Sequence, residues 1–178
     1  MTRLSNLICL FIVLLGLTAC NQGMVKSDAQ LIPVTFLEGK FSVSMPAGWS
    51  VMTDLNNDAD LQIGNDQKGG YCIILSENMM DFDNITLQQH SDITRSSLRE
   101  NLENYSESDP EYLQLGPNRA VRYKILGSIE GVKIIYWHTT IETKNYFHQT
   151  LLWSLPSEFP KNKSDFDAIL ASFQSIRE

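Results

Sequence analysis

Three histidines, an isolated internal cysteine and two groups of aspartates are the side chains of this chain best suited by type to catalysis or metal binding. His138 and His148 fall on adjacent strand-like segments, and their relation depends on the loop between them. A loop of Thr143 to Asn145 sets His138 opposite Thr150 and brings both imidazoles to one face, about 7 Å apart on the diagonal. A loop of Lys144 and Asn145 alone sends them to opposite faces. Zinc needs a third and usually a fourth ligand at fixed distance. No such spacing accompanies His90, His138 or His148, so polar positions on a partly exposed sheet are expected and no metal or cofactor is assigned.

Nucleophilic catalysis needs a Ser or Cys, a base and a group that orients the base. The sequence has no Gly-x-Ser-x-Gly elbow and no Ser-x-x-Lys motif. Gly127, Ser128, Ile129, Glu130 and Gly131 lie between two strand-like runs with no Lys or helix following, which marks a turn and not a phosphate cradle. Cys72 sits within Tyr71, Ile73, Ile74 and Leu75, so it reads as a buried, inert thiol. Asp54, Asp58, Asp60 and Asp66 share one region and Asp81 and Asp83 another, without the Asp-x-Asp-x-Asp-Gly order of a calcium loop. A solvated acidic surface is the expectation. A hydrolase would require a Ser or Cys within hydrogen-bond reach of His90, His138 or His148; no catalytic residue is assigned, and ligand-binding residues stay unassigned.

The first residues carry a different chemistry. Arg3 precedes an apolar run from Leu7 to Leu15, followed by Gly16, Leu17, Thr18, Ala19 and Cys20. The run is shorter than the about 20 apolar residues a membrane-spanning helix needs. A basic residue, a short apolar core and small residues in that order are the layout of a secretory signal. Leu17, Thr18, Ala19 and Cys20 resemble the lipobox of bacterial lipoproteins, in which the thiol accepts a diacylglycerol before cleavage between Ala19 and Cys20. Residues 1–19 are then the signal peptide, 20–32 a lipidated tether and 33–178 the domain. Each buried acyl methylene contributes about 0.8 kcal/mol, and two or more chains hold a protein stably on a bilayer. In Gram-negative lipoproteins the residue after the Cys biases sorting; Asn21 in place of Asp implies the outer membrane, facing the periplasm.

Removal of residues 1–19 takes away Arg3 and no acid, leaving 13 basic and 21 acidic side chains, a formal charge of −8. That balance argues against nucleic acid, whose binding rests on Lys and Arg neutralising phosphates. No polybasic run is available to grip anionic lipid heads, so membrane contact is expected through the acyl chains on Cys20. With Cys9 lost and Cys20 lipidated, Cys72 has no partner for an intramolecular disulfide.

These residues must be positioned by a domain of about 145 residues. Val34–Leu37 and Phe41–Met45 read as a hairpin around Gly39, and Met45, Pro46, Ala47 and Gly48 as a type I turn ahead of Trp49. Leu61–Ile63 and Tyr71–Leu75 are short strands. Thr86 with Gln89 forms a capping box opening a helix to Tyr105, with Leu87, Ile93, Leu98, Leu102 and Tyr105 as a thin apolar stripe. The strongest pattern is a meander of Arg119–Leu126, Val132–Ile141 and Tyr146–Trp153, joined by turns at Glu130–Gly131 and Thr143–Asn145. Pro156 and Pro160 end it. Ser164 and Asp167 then cap a closing helix whose Phe166, Ile169, Leu170 and Phe173 share a face. Together these predict an α+β domain: an antiparallel β-sheet with a C-terminal three-strand meander and helices packed on it.

Phe41 to Trp49, with its strand, Pro46, Gly48 and Trp49, resembles the opening of the DcrB and PsbP-like family. The resemblance extends to the order helix, meander with Tyr123 and Trp137, Pro-containing loop and closing helix near Phe173, about residues 34–176. It implies an α/β/α sandwich used for binding or assembly, not catalysis, in a family that includes photosystem II extrinsic subunits, Ran-binding proteins and envelope lipoproteins.

The expected function is therefore a non-catalytic, protein-binding or assembly module on a lipid anchor, with an envelope protein as partner. The alternative is a carrier or sensor of a small apolar ligand, using Tyr123, Tyr136, Trp137, Tyr146, Phe147 and Trp153 to line a groove.

Overall fold

The computed structural model describes residues 31–177. The expected signal peptide, cleavage site and lipidated Cys20 lie outside the described residues.

Among the described residues, two antiparallel sheets, two α-helices and a 3-10 turn at Met79–Asp81 make up the domain. The small sheet has the order β1 (Ile32–Phe36), β2 (Phe41–Met45), β11 (Gln174–Ser175). The large one runs β3 (Ser50–Val51), β4 (Leu61–Asn65), β5 (Gly70–Asn78), β10 (Tyr146–Ser154), β9 (Val132–Glu142), β8 (Asn118–Ile129). Along its outer side β8 pairs first with β7 (Glu111–Leu115) and then with β6 (Glu103–Glu107). α1 (Leu87–Asn101) lies on one face of the large sheet; α2 (Phe159–Ala171) and the small sheet cover the other. This is the expected α+β architecture, an antiparallel sheet that contains the meander β8–β9–β10 and has helices packed on it.

Strand alternation divides the core in two. Val121, Tyr123, Ile125, Tyr136 and Phe147 pack beneath α1, whereas Trp137, Ile141 and Leu152 join Phe41, Trp49, Phe166, Ile169 and Phe173 on the α2 side. The β8–β9 turn is the two-residue pair Glu130–Gly131, both left-handed (φ 50° and 78°), as hairpins with a primed turn require. Gly127 fits under the end of α1, since a Cβ there would lie 2.9 Å from Leu102 Cβ.

Several expectations are corrected. The turn after β2 is Pro46–Trp49, with Trp49 N–H donating to Pro46 O at 3.1 Å. Gly48 at φ 82° is its third residue, the position a type II turn gives to glycine. The Thr86 capping box is present, but α1 ends at Asn101 and residues 103–107 form β6, so Leu102 and Tyr105 lie beyond the helix. Ile93 is 52 % exposed; the buried face of α1 is Leu87, His90, Ser91 and Arg95. α2 starts at Phe159, with Pro160 in the first turn, where its missing N–H leaves no helical bond unmade. Ser164 and Asp167 are therefore inside the helix and do not cap it.

Candidate functional site

The loop between β9 and β10 is the short one. Glu142 pairs with Phe147 and Ile141 with His148, while His138 pairs with Leu151. His138 and His148 thus point to opposite faces, and His90 approaches from α1 on the His138 side. Among the described residues no three of His, Cys, Asp or Glu converge as a metal site would need.

Beneath α1 the helix presents a polar stripe to an aromatic sheet. His90 Nε2 donates to Glu77 Oε2 at 2.7 Å while its ring stacks on Phe147, centroids 4.5 Å apart. Burial lowers the His90 pKa and outweighs the opposing hydrogen bond and charge of Glu77, so the imidazole is held toward its neutral form. One turn on, Thr94 Oγ1 lies 2.9 Å from His138 Nε2. Thr94 has a single proton and sits 3.2 Å from the carbonyls of both His90 and Ser91. With that proton on a carbonyl, His138 carries its own on Nε2 and donates to Thr94. His138 is fully buried, and its pKa is pushed down to about 3, first by burial and then by the charge of Arg95.

Arg95 completes the stripe. Its guanidinium is 3.6 Å from the centroid of the Tyr123 ring and pairs with Asp92 and Glu107. Tyr105 donates to the same Glu107 carboxylate, and Arg99 reaches it at 3.2 Å. Burial raises the Glu107 pKa, but the hydrogen bonds from Arg95 and Tyr105 and the charges of Arg95 and Arg99 outweigh it, leaving the carboxyl below its ordinary range. Tyr105, desolvated and beside Glu107, is pushed up to about 12. Arg95, Glu107, Tyr105 and Tyr123 carry no motif. The signal available was the repeat of Leu87, Ser91, Thr94, Leu98 and Leu102 at spacings of three and four, which marks an inner face once polar members are admitted.

Alongside this stripe runs a cleft of about 550 Å³. Ile73, Leu75 and Leu151 form its floor, Ile93 and Ser97 its helical wall, and Asp58 with Asp60 part of its rim. The rim loop is fixed. Gln62 accepts from the N–H groups of Leu55 (2.7 Å) and Asn56 (3.0 Å), and Asp60 accepts from Ser76 N–H at 2.7 Å. The expected apolar helix residue Ile93 thus borders the cleft instead of facing the sheet.

Among the described residues three hydroxyls lie within reach of imidazoles: Thr94 at His138, and Ser76 Oγ at 2.8 Å from His148 Nδ1 with Thr143 Oγ1 at 3.5 Å from its Nε2. Both imidazoles are fully buried, and His148 is enclosed by Phe36, Phe41 and Phe173. His90, the imidazole bonded to Glu77, is a separate group on α1. Cys72 is buried, and its thiol pKa is raised by that burial, which disfavours the nucleophilic thiolate. The six aromatics divide between the two cores, with Trp137 and Tyr146 on one side and Tyr123, Tyr136, Phe147 and Trp153 on the other. They do not line a single groove.

No family model matches the sequence, and no curated protein does. Solved structures do resemble the fold. Cyanobacterial PsbP (CyanoP) from Synechocystis sp. PCC 6803 superposes with a TM-score of 0.59 at 12% identity, over 90% of this chain and 99% of that one. LpqN of Mycobacterium tuberculosis, described as involved in cell envelope biogenesis, gives 0.60 at 14% identity over 82% and 90%. The Saccharomyces cerevisiae Ran-binding protein Mog1p gives 0.59 at 11% identity over 84% and 97%. At these identities the likeness is one of fold, a PsbP-like fold.

Proposed function

We propose that the chain is a lipoprotein of the DcrB-like branch, anchored in the bacterial envelope by lipid on Cys20 and facing the periplasm, with Asn21 directing it to the outer membrane. Its domain acts there as a non-catalytic protein-binding or assembly module. The observation that carries this reading is Leu17, Thr18, Ala19 and Cys20 closing an Arg3-led apolar run, directly ahead of a domain of PsbP-like fold. Participation of the neighbour LpqN in envelope biogenesis is in keeping with it.

Binding is favoured over catalysis because the imidazoles with hydroxyl partners are enclosed by packing. A protein partner is favoured over an apolar cargo because the aromatics that could have lined a chamber fill two separate cores. The cleft beside α1, with its apolar floor and acidic rim, is the surface assigned to the partner. A photo-crosslinking residue at Ser97 in intact envelopes tests this, with Lys144 at the far turn as control site. A discrete protein adduct at Ser97, absent at Lys144 and lost in Cys20→Ala, is expected. Equal or absent adducts at both sites, with a small apolar molecule co-purifying, would favour the carrier reading.

A further inference from the structure

At one end of the sandwich a group of apolar side chains lies open. Ile129 and Val132, the last pair of the β8–β9 hairpin, are 43 % and 52 % exposed. Leu126 and Leu155 are 41 % and 46 % exposed, and both stand at the level of Ile135, which pairs with Leu126 and with Ser154. Between Leu126, Ile134 and Pro156 is a groove of about 400 Å³ with Lys133 on its border. Glu130 occupies the hairpin tip.

The register places the start of the domain at this same end. Ile32 pairs with Met45. From Met45 the chain turns at once through Gly48, whose Cβ position lies 3.1 Å from Asn65 Nδ2. Asn65 pairs with Gly70 and Gly70 with Ser154, the residue before Leu155. The opposite end holds the β1–β2 and β9–β10 turns, where Lys40 Nζ donates to Tyr146 OH at 3.1 Å. Leu31 and Ile32 add exposed apolar surface to the near end.

We infer that this end rests on the lipid bilayer, with Ile129, Val132 and Leu155 entering the boundary between headgroups and acyl chains and Lys133 meeting lipid phosphates. The inference rests on the lipid anchor proposed above. Ten residues separate Cys20 from Leu31, and even fully extended they reach no more than about 40 Å. An anchor of that reach, attached at the end that bears the open apolar group, holds those side chains at high effective concentration over the membrane. Apolar residues of modest individual affinity are then enough, as in surface-lying amphipathic segments.

The full-length, lipid-modified protein in vesicles of phosphatidylethanolamine and phosphatidylglycerol tests the inference. Val132→Cys and Lys144→Cys each carry an environment-sensitive dye, the buried Cys72 staying silent; Leu155→Cys repeats the measurement at a second site. Nitroxide-bearing lipid is expected to quench the labels at 132 and 155 several-fold more than the label at 144. Equal quenching at all three in protein that floats with the vesicles overturns the docking and leaves the anchor intact. Protein that fails to float overturns the anchor, and the docking with it.

Discussion

His138 Nε2 and Thr94 Oγ1 meet at 2.9 Å, and this hydrogen bond joins the middle of α1 to β9, the middle strand of the meander, where the imidazole has no exposure to water. Thr94→Val removes the acceptor and leaves a buried ring nitrogen unpaired, a loss of about 1–3 kcal/mol. Replacing both partners, as Thr94→Val with His138→Leu, removes the unpaired group as well. Urea denaturation is expected to show the double variant less destabilised than the sum of the single ones.

The same histidine sets an acid limb. An ordinary imidazole near 6.5 protonates in the unfolded chain, while the folded one stays neutral down to about 3. Between those values the unfolded state binds the extra proton, so stability falls as pH is lowered, by roughly 1.4 kcal/mol per unit at most. His90, also lowered, acts in the same direction. His138→Leu is expected to flatten the fall in unfolding free energy between about pH 6.5 and 3; an unchanged slope would show that His138 is reached by water in the native state.

Arg95 is buried to 5 % exposure over the Tyr123 ring, and Glu107 depends on it for charge compensation. Arg95→Met preserves much of the volume but strands Glu107. Removal of one partner from a buried pair costs about 3–5 kcal/mol. The partial exposure of Glu107 and the remaining Arg99 contact put this variant at the lower end. Its lowered carboxyl contributes stability above the ordinary glutamate range that is lost as pH falls through the folded value. In Arg95→Met that component of the pH dependence is expected to shrink.

Gly127 admits Leu102 where helix passes into strand. Gly127→Val is expected to destabilise by about 1–3 kcal/mol through overpacking. Leu102→Ala in the same chain should restore part of the loss, which thermal unfolding of the single and double variants measures.

How much of this was legible follows from the physics of each segment. β8, β9 and β10 show alternation dense enough to be read directly, and Thr86 with Gln89 announces the start of α1. The end of α1 carries no Gly or Pro. Glu103–Glu107 and Glu111–Leu115 are polar edge strands held by pairing with β8, a long-range contact that local propensity does not report. Pro160 reads as a breaker unless it is known to sit in a first turn. In the candidate site, the faces of His138 and His148 were reduced to two registers, and the two-residue loop decides between them. The Arg95 and Glu107 pairing was not legible, because it depends on the chain reversing between α1 and β6.

Tethering of the domain through Cys20 is the central claim, and mass spectrometry of the N-terminal peptide from native envelopes addresses it most directly. A mature chain beginning at Cys20 with a diacylglyceryl thioether is the predicted result. A mature N terminus with an unmodified Cys20 thiol, or an uncleaved precursor in the cytosol, would contradict it.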